Sequence, residues 1–178
     1  MTRAICVAIF VLFTCQTSYS FKNYYWREYT GEIPIDAIVG GRDIDGKNIY
    51  IGQAYIKNEG IMEVQITPGV RQVLVPMRGI KKIDKYVKIL CGPQEKVYWM
   101  SSNPSRLHSD LVDKHALIGG HEDGWGYTSI GRINRDGEVK IGKLNTCVVH
   151  NPPFYFNDNG VERRVSSSYQ ILMYNDTI

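Results

Sequence analysis

Beyond its first twenty residues, the sequence has no long stretch in which apolar residues recur at intervals of three and four, as amphipathic helices require. It has no second apolar run, no basic run and no arginine-rich face, so we expect neither a membrane span nor a nucleic-acid partner. Its histidines lack the spacing of metal ligands, and no serine lies in a Gly-x-Ser-x-Gly elbow. These absences predict little helix, no cofactor or metal, no catalytic residues and no enzymatic activity.

The first twenty residues have the features of a secretory signal peptide. Arg3 supplies a positive charge, and Ala4 to Cys15 is apolar. Ser18 and Ser20 are small residues at the third and first positions before the predicted cleavage point. The apolar run is shorter than a membrane span needs, so a retained anchor is the weaker interpretation. We predict cleavage after Ser20, a secreted extracellular protein, and one compact mature domain over residues 21–178.

Cysteine is scarce in the predicted mature chain. Cys6 and Cys15 leave with the signal peptide, so only Cys91 and Cys147 remain. An oxidising compartment favours one disulfide between them. Two free thiols are the alternative, because a domain of this length does not need the covalent link.

The most informative feature that is present is an internal duplication. Residues 37–52 return as residues 116–131 at an offset of 79, and five of the sixteen aligned positions are identical. Shorter matches flank this stretch: Tyr25-Trp26 corresponds to Tyr98-Trp99, and Tyr86 to Leu90 corresponds to Tyr169 to Met173 at an offset of 83. The chain is therefore predicted to hold two tandem repeats, over about residues 24–92 and 97–175.

Short segments rich in β-branched and aromatic residues predict strands throughout both repeats. Asp45-Gly46, Asp123-Gly124 and Asp136-Gly137 precede such segments and indicate hairpin turns. We predict an all-β fold of antiparallel, sandwich-like sheets. Each repeat alone is too short to bury a sufficient core, so the two should share one. The Gly40-Gly41 and Gly119-Gly120 pairs are expected to allow close packing or a bulge.

The order of these features resembles the repeat of the DM-nine family, found in invertebrate proteins and in natterin-like fish toxins. The match runs from Gly31-Glu32-Ile33-Pro34 through Ala37-Ile38 and Gly41-Arg42-Asp43 to Tyr50-Ile51-Gly52, and covers both copies. The resemblance implies a tandem all-β fold, recognition of mannose-type glycans, a role in pathogen recognition by innate immunity, and a possible homodimer.

In that family an aspartate and a lysine hold the sugar, and each repeat of this chain keeps part of the pair. Asp43 matches the aspartate of the first repeat, where Gln65 or Ile66 stands at the lysine position. In the second repeat Lys143 matches the lysine and Glu122 stands at the aspartate position. The resemblance thus implies Asp43, Glu122 and Lys143 as carbohydrate-binding residues.

The residue types support this assignment, because a carboxylate accepts from sugar hydroxyls and an ammonium donates to them. Trp125, beside Glu122, offers an apolar face for a sugar ring. The alternative for Asp43 and Glu122 is that they are ordinary solvated surface carboxylates without a binding role. At the level of function, the alternative is a secreted interaction or toxin-accessory protein that keeps the repeat fold without a sugar site.

Overall fold

The computed structural model describes residues 23–175, so the predicted signal peptide lies outside the described residues. Within this range the chain forms fifteen β-strands, one single-turn α-helix and one 3-10 turn. The strands are β1 (Tyr25–Glu28), β2 (Val39–Arg42), β3 (Asn48–Ile56), β4 (Gly60–Ile66), β5 (Val73–Pro76), β6 (Ile80–Ile83), β7 (Val87–Cys91), β8 (Val97–Ser102), β9 (His115–Ala116), β10 (Ile118–Glu122), β11 (Gly126–Arg135), β12 (Glu138–Leu144), β13 (Phe154–Asp158), β14 (Val161–Val165) and β15 (Tyr169–Tyr174). Helix α1 is Leu107–Asp110, and the 3-10 turn is Gln94–Lys96.

The strand pairings confirm the prediction of an all-β, antiparallel fold. Thirteen strands join one sheet, and β5 and β6 form a separate hairpin. Turn residues act as their types require: Asp136 and Gly137, between β11 and β12, both have positive φ, as a tight hairpin needs. In the described part of the chain, no helix has the length and apolar character needed to cross a membrane.

The same strand arrangement occurs twice. In the first half β1 pairs with β7, β7 with β3, and β3 with both β2 and β4. In the second half β8 pairs with β15, β15 with β11, and β11 with both β10 and β12. The hairpin β5–β6 follows β4, as the hairpin β13–β14 follows β12.

The pairings also correct the offset predicted for the last strand of each repeat. Trp26 lies opposite Leu90, and Trp99 lies opposite Leu172, so the equivalent strands differ by 82 positions and not by 83. Tyr86 and Tyr169 look equivalent in sequence, but Tyr86 is 73% exposed in the turn before β7, whereas Tyr169 begins β15 and is buried. A slip of one residue matters, because it moves every side chain to the opposite face.

Three clusters of buried apolar side chains hold the sheet together. One cluster lies within the first repeat and includes Met62 and Val75, and another lies within the second and includes Phe154 and Phe156. The central cluster takes residues from both repeats, among them Ile51. Its members are Ile38, Ile49, Ile51, Leu90, Val97, Leu117, Ile130, Ile141, Leu172 and Tyr174, with Trp26 and Trp99 packed against them. The two tryptophans therefore anchor the core shared by the two halves.

Strands β4 and β10 join the two repeats directly. Ile61 lies opposite His121, and Gly60 lies opposite Glu122. This junction places the end of β10 beside the first repeat, and it positions the candidate site described below.

Candidate functional site

Glu122 and Lys143 meet at the floor of a cleft of about 710 Å³. The Lys143 Nζ atom lies 2.6 Å from Glu122 Oε2, and both side chains are almost fully buried. Two of the three predicted site residues are thus in direct contact. They come together because β10 and β12 flank β11, and each strand presents one of the two side chains to the cleft.

Glycine on both sides gives the Glu122 carboxylate its space. Glu122 lies opposite Gly60 on β4 and opposite Gly126 on β11. Because glycine has no side chain, neither cross-strand neighbour covers the Glu122 carboxylate, whereas side chains opposite one another on adjacent strands normally touch.

The ion pair keeps hydrogen-bonding capacity for a ligand. An ammonium has three donors, and Lys143 uses one on Glu122; its other near neighbours are Met77 Sδ, at 3.8 Å, and the Tyr155 ring, whose centroid is 5.1 Å away. A carboxylate accepts at two oxygens, and only Oε2 of Glu122 is engaged with Lys143. The pair can therefore both donate to and accept from a bound hydroxyl.

The walls of the cleft combine aromatic and amide groups. Trp125 is 58% exposed, and Tyr155 lies directly opposite Lys143 on β13. Asn145 is buried at the wall, and its Oδ1 atom has no hydrogen-bond partner among the described residues. The complete lining is Met77, Arg78, Glu122, Trp125, Lys143, Asn145, Val148, His150, Asn151, Pro153, Tyr155, Glu162 and Arg164.

The first repeat closes one side of this second-repeat cleft. Met77 and Arg78, in the turn of the β5–β6 hairpin, line the cleft with residues of β12, β13 and β14. The backbone N–H of Gly79 donates to the Glu162 carboxylate on β14, which fixes the hairpin there. The cleft is consequently composite, and the sequence offered no sign of this contribution.

Asp43, the third predicted residue, lies outside the cleft. Its Oδ1 atom accepts hydrogen bonds from the backbone N–H groups of Asp45, at 3.0 Å, and Lys47, at 2.8 Å. These bonds close the turn between β2 and β3, a common use of aspartate.

The pairings assign Gln65 to the position of Lys143, since Gly52 lies opposite Val64 as Gly131 lies opposite Gly142. Gln65 Oε1 accepts from Ile141 N–H at 3.3 Å, so it does not pair with Asp43.

Glu63, on β4, is a buried carboxyl group near the ion pair of Glu122 and Lys143. Its side chain is completely inaccessible, and neither carboxylate oxygen has a partner at hydrogen-bond geometry among the described residues. Burial raises the pKa of Glu63 from 4.5 to about 8, against the lowering effects of the nearby Thr128 hydroxyl and the Lys143 charge. Glu63 is therefore mostly neutral at pH 7, and the sequence analysis missed it because β4 was not predicted as a strand.

Cys91 and Cys147, the two cysteines within residues 23–175, are free thiols and form no disulfide with each other. Cys91 is buried at the end of β7, where burial raises the pKa of its thiol to about 11. Cys147 is exposed, and its Sγ lies 3.0 Å from the backbone oxygen of Tyr127. Of the two alternatives left open by the sequence, a disulfide or two free thiols, the structure has the two free thiols. The core is extensive enough to need no covalent link.

Within residues 23–175, no three histidine, cysteine or acidic side chains are grouped closely enough to hold a metal ion.

Asn145 could have been found from the sequence, because it follows Lys143 by two residues and strand alternation places both on one face. Met77, Arg78 and Tyr155 could not, because only the packing of distant segments brings them to the cleft.

Comparisons with known proteins support the fold alone. No protein-family model and no curated protein matches the chain. Among solved structures, the fold is similar to that of the nematode sperm cell motility protein MFP2B, with a TM-score of 0.56 and 15% sequence identity. The similarity covers 85% of this chain and 45% of that protein, so the chain spans less than half its length. Membership of the DM-nine family stays a prediction.

Proposed function

We propose that this chain is a secreted carbohydrate-binding protein of the lectin type, and that it recognises mannose-type glycans through the cleft around Glu122 and Lys143. The observation that carries the proposal is the 2.6 Å contact between these two side chains at the floor of an open cleft. Neighbouring hydroxyls of a sugar ring need both a donor and an acceptor, which this pair supplies.

The surroundings of the pair favour a sugar over a simple ion. Trp125 presents an exposed aromatic surface to the apolar face of a ring. The charges of Glu122 and Lys143 offset one another, so the floor of the cleft suits a neutral, hydroxyl-rich ligand.

The test replaces both charged partners at once. Removing one would leave a buried, unpaired charge and cost about 3–5 kcal/mol, whereas replacing the pair with neutral groups of similar volume is often tolerated. We expect Glu122→Gln/Lys143→Met to keep its melting temperature within a few degrees and to lose retention on mannose-agarose. Glycan-array binding should fall in parallel.

A second ion pair on β12, between buried Lys140 and half-buried Glu138, provides the control. Lys140 Nζ lies 2.6 Å from Glu138 Oε1, and neither residue lines the cleft. Glu138→Gln/Lys140→Met and Asp43→Asn should bind mannose as the unaltered protein does. Full binding by the Glu122→Gln/Lys143→Met variant would refute the proposed site, and absence of glycan binding by the unaltered protein would refute the function.

A second candidate is a secreted interaction or toxin-accessory protein without a sugar site. It is favoured by the first repeat, where Asp43 closes a turn and Gln65 bonds to the backbone of β12, so that no sugar-binding pair remains. Co-purification of a protein partner or lysis of membranes, with no inhibition by any glycan, would support this candidate over the first.

A further inference from the structure

One face of the sheet carries a row of aromatic and apolar side chains that crosses both repeats; all of them are exposed except Ile61, which is half-buried. Tyr86 lies beside Tyr55, with Tyr55 N–H donating to Tyr86 O; Tyr55 lies opposite Ile61, Ile61 opposite His121, and His121 opposite Tyr127. Directly opposed residues share one face of a sheet. We call these five residues the aromatic row: Tyr86, Tyr55, Ile61, His121 and Tyr127.

The rings of the aromatic row are held in defined positions and remain accessible. Tyr86 and Tyr127 are 73% and 62% exposed, and Tyr55 is 48% exposed. Tyr55 packs edge-on against Tyr86 at 6.4 Å, and His121 packs edge-on against Tyr127 at 5.5 Å. Tyr86 also has a φ of 56°, which is strained for a bulky side chain, so its exposed position carries an energetic cost.

A polar row runs beside the aromatic row, one pleat further along the strands. Glu28 lies opposite Lys88, and Lys88 lies opposite Gln53. These residues and the first-repeat end of the aromatic row line a groove of about 400 Å³. An acid, a base and an amide thus stand next to the two edge-packed rings, which combines hydrogen-bonding groups with apolar faces.

We propose that the aromatic row, with its polar neighbours, binds a linear oligosaccharide lying across the strands. The inference rests on the proposed function for its ligand class, but it uses different residues. Consecutive residues of a strand point to opposite faces, so His121 and Glu122 place the row and the cleft on opposite sides of β10. Five strands at the usual spacing give a row of about 19 Å, which suits several sugar rings in sequence.

The dimensions of the row favour a sugar chain over a second copy of the protein. A tyrosine side chain can bury about 150–250 Å², so the exposed parts of the row offer roughly 500 Å², below the roughly 800 Å² per partner of a stable interface. The row is also one side chain wide and is bordered by charged groups, whereas stable dimer interfaces are broad and more apolar.

The test compares short and long sugars on the full chain by calorimetry, using methyl mannoside and the linear disaccharides and hexasaccharides of mannose, glucose and N-acetylglucosamine. We expect at least one hexasaccharide to bind more tightly than its disaccharide. The variant Tyr55→Ala/Tyr86→Ala should bind that hexasaccharide on the order of ten-fold more weakly, because it loses two aromatic faces on which sugar rings can stack. Methyl mannoside, which reports on the cleft, should bind this variant unchanged.

Three further variants separate the possible outcomes. Tyr55→Phe/Tyr86→Phe keeps the rings and should keep the hexasaccharide affinity, and Tyr98→Ala removes a tyrosine that is 42% exposed outside the row and should have no effect. Hexasaccharide binding that is retained by Glu122→Gln/Lys143→Met would support the aromatic row as a separate site, even if the cleft is found not to bind mannose. Equal hexasaccharide affinity in the unaltered protein and in Tyr55→Ala/Tyr86→Ala would overturn the proposal, as would a dimer that this double variant dissociates.

Discussion

At the scale of single residues, Glu63 is the most informative position. Its equivalent in the second repeat is Ile141, because Gly52 lies opposite Val64 as Gly131 lies opposite Gly142. A carboxyl group thus occupies a site that takes an apolar side chain in the other half. Its neighbours include the Thr128 hydroxyl and the charged groups of Lys143 and Glu122. The site tolerates this group because burial keeps it in the neutral form.

The raised pKa of Glu63 predicts a dependence of stability on pH. The folded protein holds the Glu63 proton up to about pH 8, whereas the unfolded chain releases it near 4.5. The free energy of unfolding should therefore fall as pH rises between these values, by on the order of a few kcal/mol, and then level off. Glu63→Gln should remove most of this fall, as measured by urea unfolding at about pH 5 and about pH 9.

Glu32→Gln, at an exposed position, is the control and should retain the fall in stability. An equally steep fall in Glu63→Gln would assign the dependence to other groups.

At the scale of elements, two glycine pairs determine how the repeats meet. The pairing of β2 with β3 shifts between Val39 and Gly41, and the pairing of β10 with β11 shifts at the equivalent place, between Ile118 and Gly120. A Cβ on Gly40 would lie 2.3 Å from Ile141, and one on Gly119 would lie 2.4 Å from Glu63. Each pair therefore allows both a bulge and a close approach to the other repeat, the two uses predicted from the sequence.

Gly120→Ala should weaken the junction of β4 and β10. Its Cβ would lie 2.1 Å from the backbone oxygen of Ile61, which cannot move without disturbing the sheet. We expect a loss of about 1–3 kcal/mol or more in the free energy of unfolding, together with weaker glycan binding, because β10 also carries Glu122.

Gly69→Ala is the comparison, since nothing lies within 4 Å of its Cβ and only its φ of +78° opposes the change. It should lose about 1–2 kcal/mol and keep its binding. Chemical denaturation measures both variants, and a Gly120→Ala protein with unaltered stability and binding would contradict this account of the junction.

At the scale of the molecule, the central apolar cluster joins the two repeats. Ile51 and Leu90 of the first repeat pack with Ile130 and Leu172 of the second, and the candidate cleft likewise draws on both. The division into repeats, visible in the sequence, is therefore not a division into separate cores.

Fragments covering residues 21–92 and 93–178 should each fail to fold alone, because each would expose its half of the central cluster. We expect neither fragment to show dispersed amide resonances or a cooperative thermal transition. The two fragments mixed, and the intact chain, should show both. A well-dispersed spectrum from either fragment alone would contradict the shared core.

Much of the fold could be predicted from local patterns, because turn dipeptides and β-branched segments act over a few residues. The Asp-Gly turns, the strands β3, β12 and β15, and the equivalence of the two repeats came from such patterns. Strand β4 was missed, although Met62-Glu63-Val64-Gln65-Ile66 alternates apolar and polar residues as a strand does. The offset of β7 and β15 was wrong by one, because two tyrosines with different burial looked equivalent.

The sequence by itself determined the strand-rich fold, the two repeats and the residue types of the site, since these depend on local propensity and on similarity between segments. Only the tertiary structure decided which of those residues meet. Lys143 reaches Glu122 because β10 and β12 lie on either side of β11, while Asp43 closes its own turn and Gln65 bonds to another strand. Cross-strand register and long-range packing decide such contacts, and no local pattern in the sequence records them.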